Sequence, residues 1–294
     1  MTVPFTPERW AFEITHLLNA VLGADRYPLD VATIAREYSS QRFPRDPILK
    51  VVGGDIPKFD GALYPSRKRP GWHILYNDTM SSRGRINFTL AHEFGHYLLH
   101  RERYPTGFEC GQQQIVRWDS EYGQVEHQAN VFAANFLMPL DDFRRLLPDR
   151  GPATLAVLKQ CAERYNVSLI AATLRWLSYT SKRAILVNSR DGYILWARSS
   201  QSALRSGSYF KTADRPPIEV PVTSLAANPG MLAAGQAEMD HAAGIWLAEP
   251  VCEMALHAEQ YDFVLSLLIL DDAPQRYVLE DADEPEDLFD RFTR

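Results

Sequence analysis

The chain has 294 residues, of which 46% are hydrophobic and 23% charged. These ordinary proportions exclude a disordered, collagen-like or coiled-coil protein. The formal net charge of −6 comes entirely from the segment 271–294, where nine acidic residues face three basic ones, so the chain lacks the general basic footprint of a nucleic-acid-binding protein.

The first elements of the chain are predicted to be helices. Thr6 is a typical N-cap, and apolar side chains recur at helical spacing from there to Gly23. Asp30 caps a second helix, which is predicted over 31–38.

Short apolar stretches then predict a small sheet, with strands at 48–53, 61–64 and 71–77 and a polar turn between the last two. The segment 105–120 is predicted to be a loop. Helical spacing returns on both sides of that loop, and the predicted helices are 89–104, 121–138, 139–147, 154–165 and 168–179.

The pattern changes to strands after Thr180. Segments 184–189 and 194–199 predict a hairpin that turns at Asp191-Gly192, and further strands are predicted at 218–222 and 263–270. The fold class is therefore predicted to be α+β. A mostly helical domain with a small sheet is expected over 1–181, including a helical extension at about 140–181, and an α+β domain over 182–294.

The expected location is the cytoplasm. The three cysteines are an odd number, which argues against a disulfide framework and suits a reducing compartment. The first residues show no signal-peptide pattern, and no apolar run approaches the roughly 18 residues of a membrane span.

The strongest local motif is His92-Glu93-Phe94-Gly95-His96, an H-E-x-x-H sequence on a predicted helix. Side chains at i and i+4 share one helical face, so both imidazoles can reach one Zn²⁺ ion. Glu93 lies beside that face, where it can act as a general base. Gly95 is costly inside a helix, and we expect it to mark close approach by another backbone.

A catalytic zinc site needs a third protein ligand and an open fourth position. The next long helix offers Glu121, Glu126 and His127, and spacing alone does not separate them. Small side chains at Ala129, Ala133 and Ala134 predict that this helix packs closely on the H-E-x-x-H helix.

Two stretches in this order resemble the ImmA/IrrE family of metallopeptidases. They are RINFTLAHEFGHYLLH at 85–100 and EHQANVFAA at 126–134, the latter followed by Leu137-Met138-Pro139. The resemblance covers roughly residues 10–180. It implies a gluzincin-like fold in which His92, His96 and Glu126 bind zinc and Glu93 is the general base.

The same resemblance implies a substrate, because members of this family typically cleave a helix-turn-helix repressor at one site and release stress-response or mobile-element genes. Some members carry a GAF-like sensor domain after the peptidase domain, and residues 182–294 are compatible with one. We expect a gating signal such as single-stranded DNA, with no membrane partner. The sequence leaves the oligomeric state open.

Several side chains near the motif have two interpretations each. Cys110, in the loop between the two helices, either occupies the fourth zinc position as an inhibitory ligand or has no role. His100 and His127 either orient a ligand or are solvated helix histidines, which is the more common case. Tyr97, Tyr122 and Tyr165 are candidate oxyanion donors, and because no spacing rule selects one of them, none is assigned a catalytic role. Cys161 and Cys252 are expected in the core.

Two features suggest contact with DNA. The helical pair 154–178 resembles a helix-turn-helix, but its second helix offers only Arg175 as a base, so packing is the favoured interpretation. The basic turn of Arg67, Lys68 and Arg69 is either a solvated turn or, with aromatic residues such as Trp72, a groove for single-stranded nucleic acid.

These observations favour a zinc endopeptidase of narrow specificity. The competing interpretation is a non-proteolytic antirepressor or DNA-associated regulator in which the zinc site is structural. General degradative proteolysis is a third interpretation, which the breadth of substrates would test.

Overall fold

The structure is a computed structural model that describes residues 5–56, 59–80, 82–110, 121–212, 216–232 and 235–273. Its mixed content of helices and sheets confirms the α+β class. The described residues divide into two compact units. One lies within Met1–Phe143 and Gln160–Ala171, and the other within Arg144–Lys159 and Ala172–Arg294. None of the helices in the described residues has the length and hydropathy needed to cross a membrane.

Unit 1 combines helices with a four-stranded sheet. Its elements in chain order are α1 (Pro7–Leu22), α2 (Val31–Arg42), β1 (Ile48–Gly54), β2 (Gly61–Pro65), β3 (Trp72–Asn77), α3 (Arg83–His100), β4 (Phe108–Cys110) and α4 (Glu121–Leu137). The strand order is β1-β3-β2-β4. Strands β1 and β3 run parallel, whereas β2 is antiparallel to both β3 and β4.

Side-chain caps explain where several of these helices begin. The predicted caps Thr6 and Asp30 are confirmed, since each side chain accepts a hydrogen bond from a backbone N–H three residues on. Ser82 caps α3 in the same way, so that helix begins at Arg83 and not at the predicted Thr89. The predicted loop 105–120 contains a strand, β4, which pairs with β2.

Three further helices continue the chain, namely α5 (Leu140–Leu146), α6 (Leu155–Tyr165) and α7 (Leu169–Leu177). Asp142, at the start of α5, accepts hydrogen bonds from Arg164 and Tyr165 near the end of α6. Arg175 is buried on α7, along with Trp176. A buried arginine is not available to read a base edge, so the packing interpretation of this helical pair agrees with the structure.

Unit 2 contains a six-stranded antiparallel sheet. Its elements are β5 (Arg183–Arg190), β6 (Tyr193–Ser199), α8 (Gln201–Ser206), β7 (Ile218–Glu219), β8 (Gln236–His241), β9 (Val251–Ala258) and β10 (Phe263–Leu270). The strand order is β7-β6-β5-β10-β9-β8. The predicted hairpin at Asp191-Gly192 is confirmed, and both turn residues have the positive φ that such a turn requires.

Two details of unit 2 differ from the sequence predictions. The strand predicted at 218–222 pairs only at Ile218–Glu219, and Pro221 has no N–H with which to extend the ladder. Cys252, predicted in the core, is only partly buried on β9, where its thiol lies 3.3 Å from Glu238 Oε1. Cys161 is buried, as predicted.

Candidate metal centre

The H-E-x-x-H residues lie in the middle of α3, and their side chains are largely removed from solvent. His92 and His96 share one helical face, with their Nε2 atoms 2.9 Å apart. Glu126 of α4 reaches both rings, with one carboxylate oxygen 3.3 Å from His92 Nε2 and the other 3.3 Å from His96 Nε2. The structure therefore brings together the three residues that the resemblance named as metal ligands.

This arrangement fits a small cation. Bonds of 2.0–2.1 Å in tetrahedral geometry separate neighbouring ligand atoms by about 3.3 Å. The two distances from Glu126 match this value, and the two Nε2 atoms lie somewhat closer together, at 2.9 Å. Two imidazoles and one carboxylate are also a usual donor set for catalytic zinc. Within the described part of the chain, no other group of three histidine, cysteine or acidic side chains converges in this way.

Close helix packing explains why Glu126 faces the two histidines. Gly95 of α3 meets α4 at Ala129, where an added Cβ would lie 3.3 Å from the Ala129 Cα and backbone oxygen and 3.0 Å from Phe132 Cδ1. The expectation that Gly95 marks a close backbone approach is thus confirmed. Because Ala129 lies three residues after Glu126, this contact sets the rotation of α4 that turns the carboxylate towards α3.

Each imidazole also has a partner on its second ring nitrogen. His92 Nδ1 lies 2.9 Å from Asn130 Oδ1, and His96 Nδ1 lies 3.1 Å from His100 Nδ1. The sequence prediction did not assign a role to Asn130. Its spacing of four residues from Glu126, which places both side chains on one face of α4, is the signal that could have identified it.

The electrostatics keep two of the three groups, His96 and Glu126, in the forms that a metal requires. Burial lowers the pKa of His96 to about 4, with the charge of His92 acting in the same direction, so the ring is neutral at pH 7. Burial acts to raise the pKa of Glu126, but the two histidine rings beside the carboxylate outweigh burial and lower that pKa, so the carboxylate is ionised. For His92, burial is outweighed by Glu126 and Glu93, which raise its pKa.

Glu93 is fully buried at the turn of α3 next to the two histidines. The first residue of β2, Gly61, packs directly against it, since a Cβ added at Gly61 would lie 2.7 Å from Glu93 Oε1 and 2.6 Å from Thr89 Cγ2. Strand β2 therefore confines the carboxylate that the sequence predicted as the general base.

The remaining candidate residues differ in their exposure to solvent and in whether the structure describes their side chains. His127 is exposed. The side chains of Glu121, Tyr122 and Cys110 lie outside the described residues, although the backbone of Cys110 is described and pairs with Gly61. His100 is buried, and its ring contacts His96, so the interpretation of a solvated helix histidine is wrong.

Two of the three tyrosines considered as oxyanion donors have other roles. The Tyr97 hydroxyl donates to the backbone oxygen of Asp46, and the Tyr165 hydroxyl donates to Asp142. Both rings are fully buried. Each hydroxyl is thus already used in stabilising the fold.

The comparisons with known proteins agree with this geometry. Residues 46–177 match the model of the family Peptidase_M78, described as the IrrE N-terminal-like domain. A comparison with curated proteins gives no match. The matched segment contains the two histidines, Glu93 and Glu126, together with the helices and strands that position them. The resemblance to the ImmA/IrrE metallopeptidases is therefore confirmed for residues 46–177, which form an IrrE N-terminal-like domain of a peptidase family.

Proposed function

We propose that the protein is a zinc-dependent endopeptidase that cuts a helix-turn-helix repressor at one peptide bond and so releases stress or defence genes. The observation that carries this proposal is the convergence of His92, His96 and Glu126 beside a buried Glu93. The match to a peptidase family over the same residues supports it.

The chemistry follows from the roles of these four side chains. His92, His96 and Glu126 would hold the zinc ion, which when bound supplies Lewis-acid activation of water and of the scissile carbonyl. The Glu93 carboxylate accepts a proton from the attacking water as the new C–O bond forms. It then donates that proton to the amide nitrogen as the C–N bond breaks. Burial of Glu93 keeps the transferred proton away from bulk solvent.

The choice of a repressor as substrate rests on the family resemblance of the two quoted motifs. The proposed gating signal, single-stranded DNA, is supported by the surface of the four-stranded sheet. Arg67, Lys68 and Arg69 are exposed between β2 and β3, and the rings of Tyr64 and His73 lie 5.4 Å apart with a tilt of 31°. Exposed aromatic rings beside positive charge are typical of single-strand binding.

Trp72, the aromatic residue that the sequence suggested for this surface, is buried. Trp72 is only 6% exposed, so it does not supply a stacking face, and His73 and Tyr64 replace it in the proposal. Burial, Lys50 and Arg69 together lower the pKa of His73, which places both cations near that ring. The acidic segment 274–294 lies outside the described residues.

We further propose that unit 2 is the GAF-like sensor that the resemblance implies. Its support is an antiparallel sheet with its own apolar core and a cavity of about 280 Å³ at one end of that sheet. Arg190, His257 and Asp262 are among the polar residues that line this cavity. The charged and polar side chains of this lining favour a small polar ligand over an apolar one.

Cys110 enters the proposal as an inhibitory fourth ligand. Its backbone pairs with Gly61, and Gly61 packs against Glu93, so β4 carries the cysteine close to the general base. A thiolate is a strong zinc ligand. Cys110→Ser should then raise the basal peptidase activity, and an unchanged activity would show that the thiol has no such role.

A cleavage assay tests the proposal. Zinc-loaded full-length protein is incubated with the helix-turn-helix repressor encoded beside it, with and without a single-stranded oligonucleotide, and Glu93→Gln serves as the control. We expect one discrete cut that depends on the oligonucleotide and falls by at least about 100-fold in Glu93→Gln, while zinc stays bound.

Four other outcomes would contradict parts of the proposal. Cleavage that persists in Glu93→Gln excludes Glu93 as the base. Derepression in cells that persists in Glu93→Gln favours the non-proteolytic antirepressor. Cleavage of unrelated proteins at many sites indicates general proteolysis, and cleavage that ignores the oligonucleotide removes single-stranded DNA as the signal.

A further inference from the structure

The ring of His100 lies one helical turn after His96, and the two imidazoles meet through their Nδ1 atoms at 3.1 Å. His100 is only 4% exposed. On its other side, His100 Nε2 lies 2.9 Å from Oε1 of Gln128, which projects from α4 two residues after Glu126. A continuous line of polar atoms therefore runs from Gln128 through His100 to His96, on the side of His96 opposite Glu126.

The positions of the hydrogens along this line follow from the amide oxygen of Gln128 at its end. An amide oxygen can only accept a hydrogen bond, so His100 Nε2 carries the hydrogen. A neutral His100 then presents a lone pair at Nδ1, and His96 Nδ1 must donate to it. The lone pair of His96 is consequently at Nε2, the atom that lies 3.3 Å from Glu126 Oε1.

We propose that His100 and Gln128 are positioning residues that fix His96 in the tautomer and ring orientation of a metal ligand. This inference rests on the proposed metal centre. His92 obtains the same result from one residue, because its Nδ1 faces Asn130 Oδ1 directly. The two ligands of α3 are thus oriented by different devices, a single amide for His92 and a histidine–glutamine relay for His96.

The relay predicts a measurable effect on metal affinity. Loss of a hydrogen-bond partner behind a metal-bound histidine typically weakens metal binding 10–100-fold. His100→Phe keeps a flat ring in the buried space but removes the acceptor, and Gln128→Met removes the terminal acceptor at an exposed position. Gln128→Glu retains an oxygen acceptor, so it should restore what Gln128→Met loses.

The test measures zinc dissociation constants of the full-length protein by competition with a chromophoric chelator. We expect affinity to fall by about 10–100-fold in His100→Phe and by a smaller factor in Gln128→Met, with Gln128→Glu close to wild type. His127→Phe is the matched control, because His127 is the exposed neighbour of Gln128 and its replacement should change nothing. Circular dichroism checks that each variant is folded.

A second readout does not depend on affinity. Nitrogen-15 NMR of the zinc-loaded protein reports the tautomer of each imidazole. We expect the hydrogen of His96 at Nδ1 and that of His100 at Nε2, and we expect Gln128→Met to mix the His100 tautomers. A residue with a purely structural role would not shift this pattern.

The outcomes separate the inference from the proposed function. Wild-type affinity in a folded His100→Phe would overturn the relay and leave the metal centre intact. If His100→Phe does not fold, unchanged affinity and tautomers in Gln128→Met would overturn it equally. If the wild-type protein binds no zinc, the proposed metal centre fails and the relay fails with it.

Discussion

Each unit of the molecule contains a buried glutamate that contacts histidine, but the surroundings of the two carboxylates are opposite. Glu126 in unit 1 faces the Nε2 atoms of His92 and His96, and each ring is held on its far nitrogen by another side chain. Glu253 on β9 of unit 2 is fully buried and accepts five hydrogen bonds. Its donors are the N–H groups of Leu225 and Ala226 and the side chains of His241, Trp246 and Ser266.

The contrast shows what distinguishes a metal centre from a structural polar cluster. Around Glu253 the protein itself supplies hydrogens to both carboxylate oxygens, so the buried charge is satisfied. In the tautomers proposed above, the rings around Glu126 offer lone pairs, and a set of lone pairs from imidazole and carboxylate is what a cation requires. A close glutamate–histidine pair is therefore no evidence of a metal until the hydrogens have been placed.

The largest predicted effect concerns the structural cluster. Glu253→Ala should lower the free energy of unfolding by about 3–5 kcal/mol, because it leaves His241 and the other donors buried without their acceptor. Zinc binding should be unchanged. Denaturant unfolding with parallel zinc analysis measures both. Glu238→Ala, an exposed carboxylate on the neighbouring strand β8, is the control and should have little effect. Loss of zinc in Glu253→Ala would contradict the interpretation of the Glu253 cluster as purely structural.

The second-largest expected effect is the increase in the free energy of unfolding of unit 1 when zinc binds. At a free zinc concentration 100 times the dissociation constant, binding should stabilise the fold by about 2.7 kcal/mol, and a chelator should remove this gain. Thermal melts with zinc and with chelator measure the difference. Glu253→Ala should keep the zinc-dependent shift, whereas Glu126→Ala should lose it. An equal shift in both variants would mean that zinc binds elsewhere.

A smaller effect is expected at the helix contact that sets the rotation of Glu126. Gly95→Ala places a Cβ 3.0 Å from Phe132 Cδ1 and 3.3 Å from Ala129. Overpacking costs about 1–3 kcal/mol, and the gain in helix propensity offsets up to about 1 kcal/mol of it. We expect a net loss of about 1 kcal/mol together with weaker zinc binding. The control is Gly54→Ala, where an added Cβ meets no atom within 4 Å. A Gly95→Ala variant as stable as wild type would show that the contact does not fix α4.

The last expected change affects peptidase activity and not metal binding. Gly61→Ala would place a Cβ 2.6 Å from Thr89 Cγ2 and 2.7 Å from Glu93 Oε1, so both side chains must move. Peptidase activity should fall by about tenfold or more, because misplacement by a fraction of an ångström impairs proton transfer, while zinc affinity stays the same. Cleavage rates and chelator competition separate the two quantities, with Gly54→Ala again as the control. Equal loss of activity and of zinc would assign Gly61 to the metal centre and not to Glu93.

Much of unit 1 could be predicted from the sequence because the patterns that specify its helices and its histidine pair are local. The i, i+4 histidines and the caps at Thr6 and Asp30 each act within a few residues. The choice of Glu126 over Glu121 or His127 could not be made by spacing, because it depends on how α4 is rotated against α3. That rotation is set by the Gly95–Ala129 contact, and the family resemblance supplied the assignment instead.

The strands of unit 2 were harder to predict for a different reason. The buried strand β10 was predicted over 263–270, which matches its observed bounds, because most of its side chains are buried and its sequence is almost wholly apolar. Strands β8 and β9 were missed. On β8 the exposed positions are Gln236, Glu238 and Asp240, and such an acidic edge strand resembles a loop in composition. The Glu253 cluster was missed with them, because its donors come from segments far apart in the chain.

The most direct test of the account is zinc analysis of purified wild-type protein combined with X-ray absorption at the zinc edge, with Glu126→Ala measured in parallel. We predict one zinc ion per chain with two imidazole ligands and oxygen at about 2.0–2.2 Å, and we predict that Glu126→Ala loses most of the metal. An additional sulfur at about 2.3 Å would identify a cysteine ligand, as proposed for Cys110. A wild-type protein without zinc, or zinc without imidazole ligands, would contradict the assignment of His92, His96 and Glu126 as the metal centre.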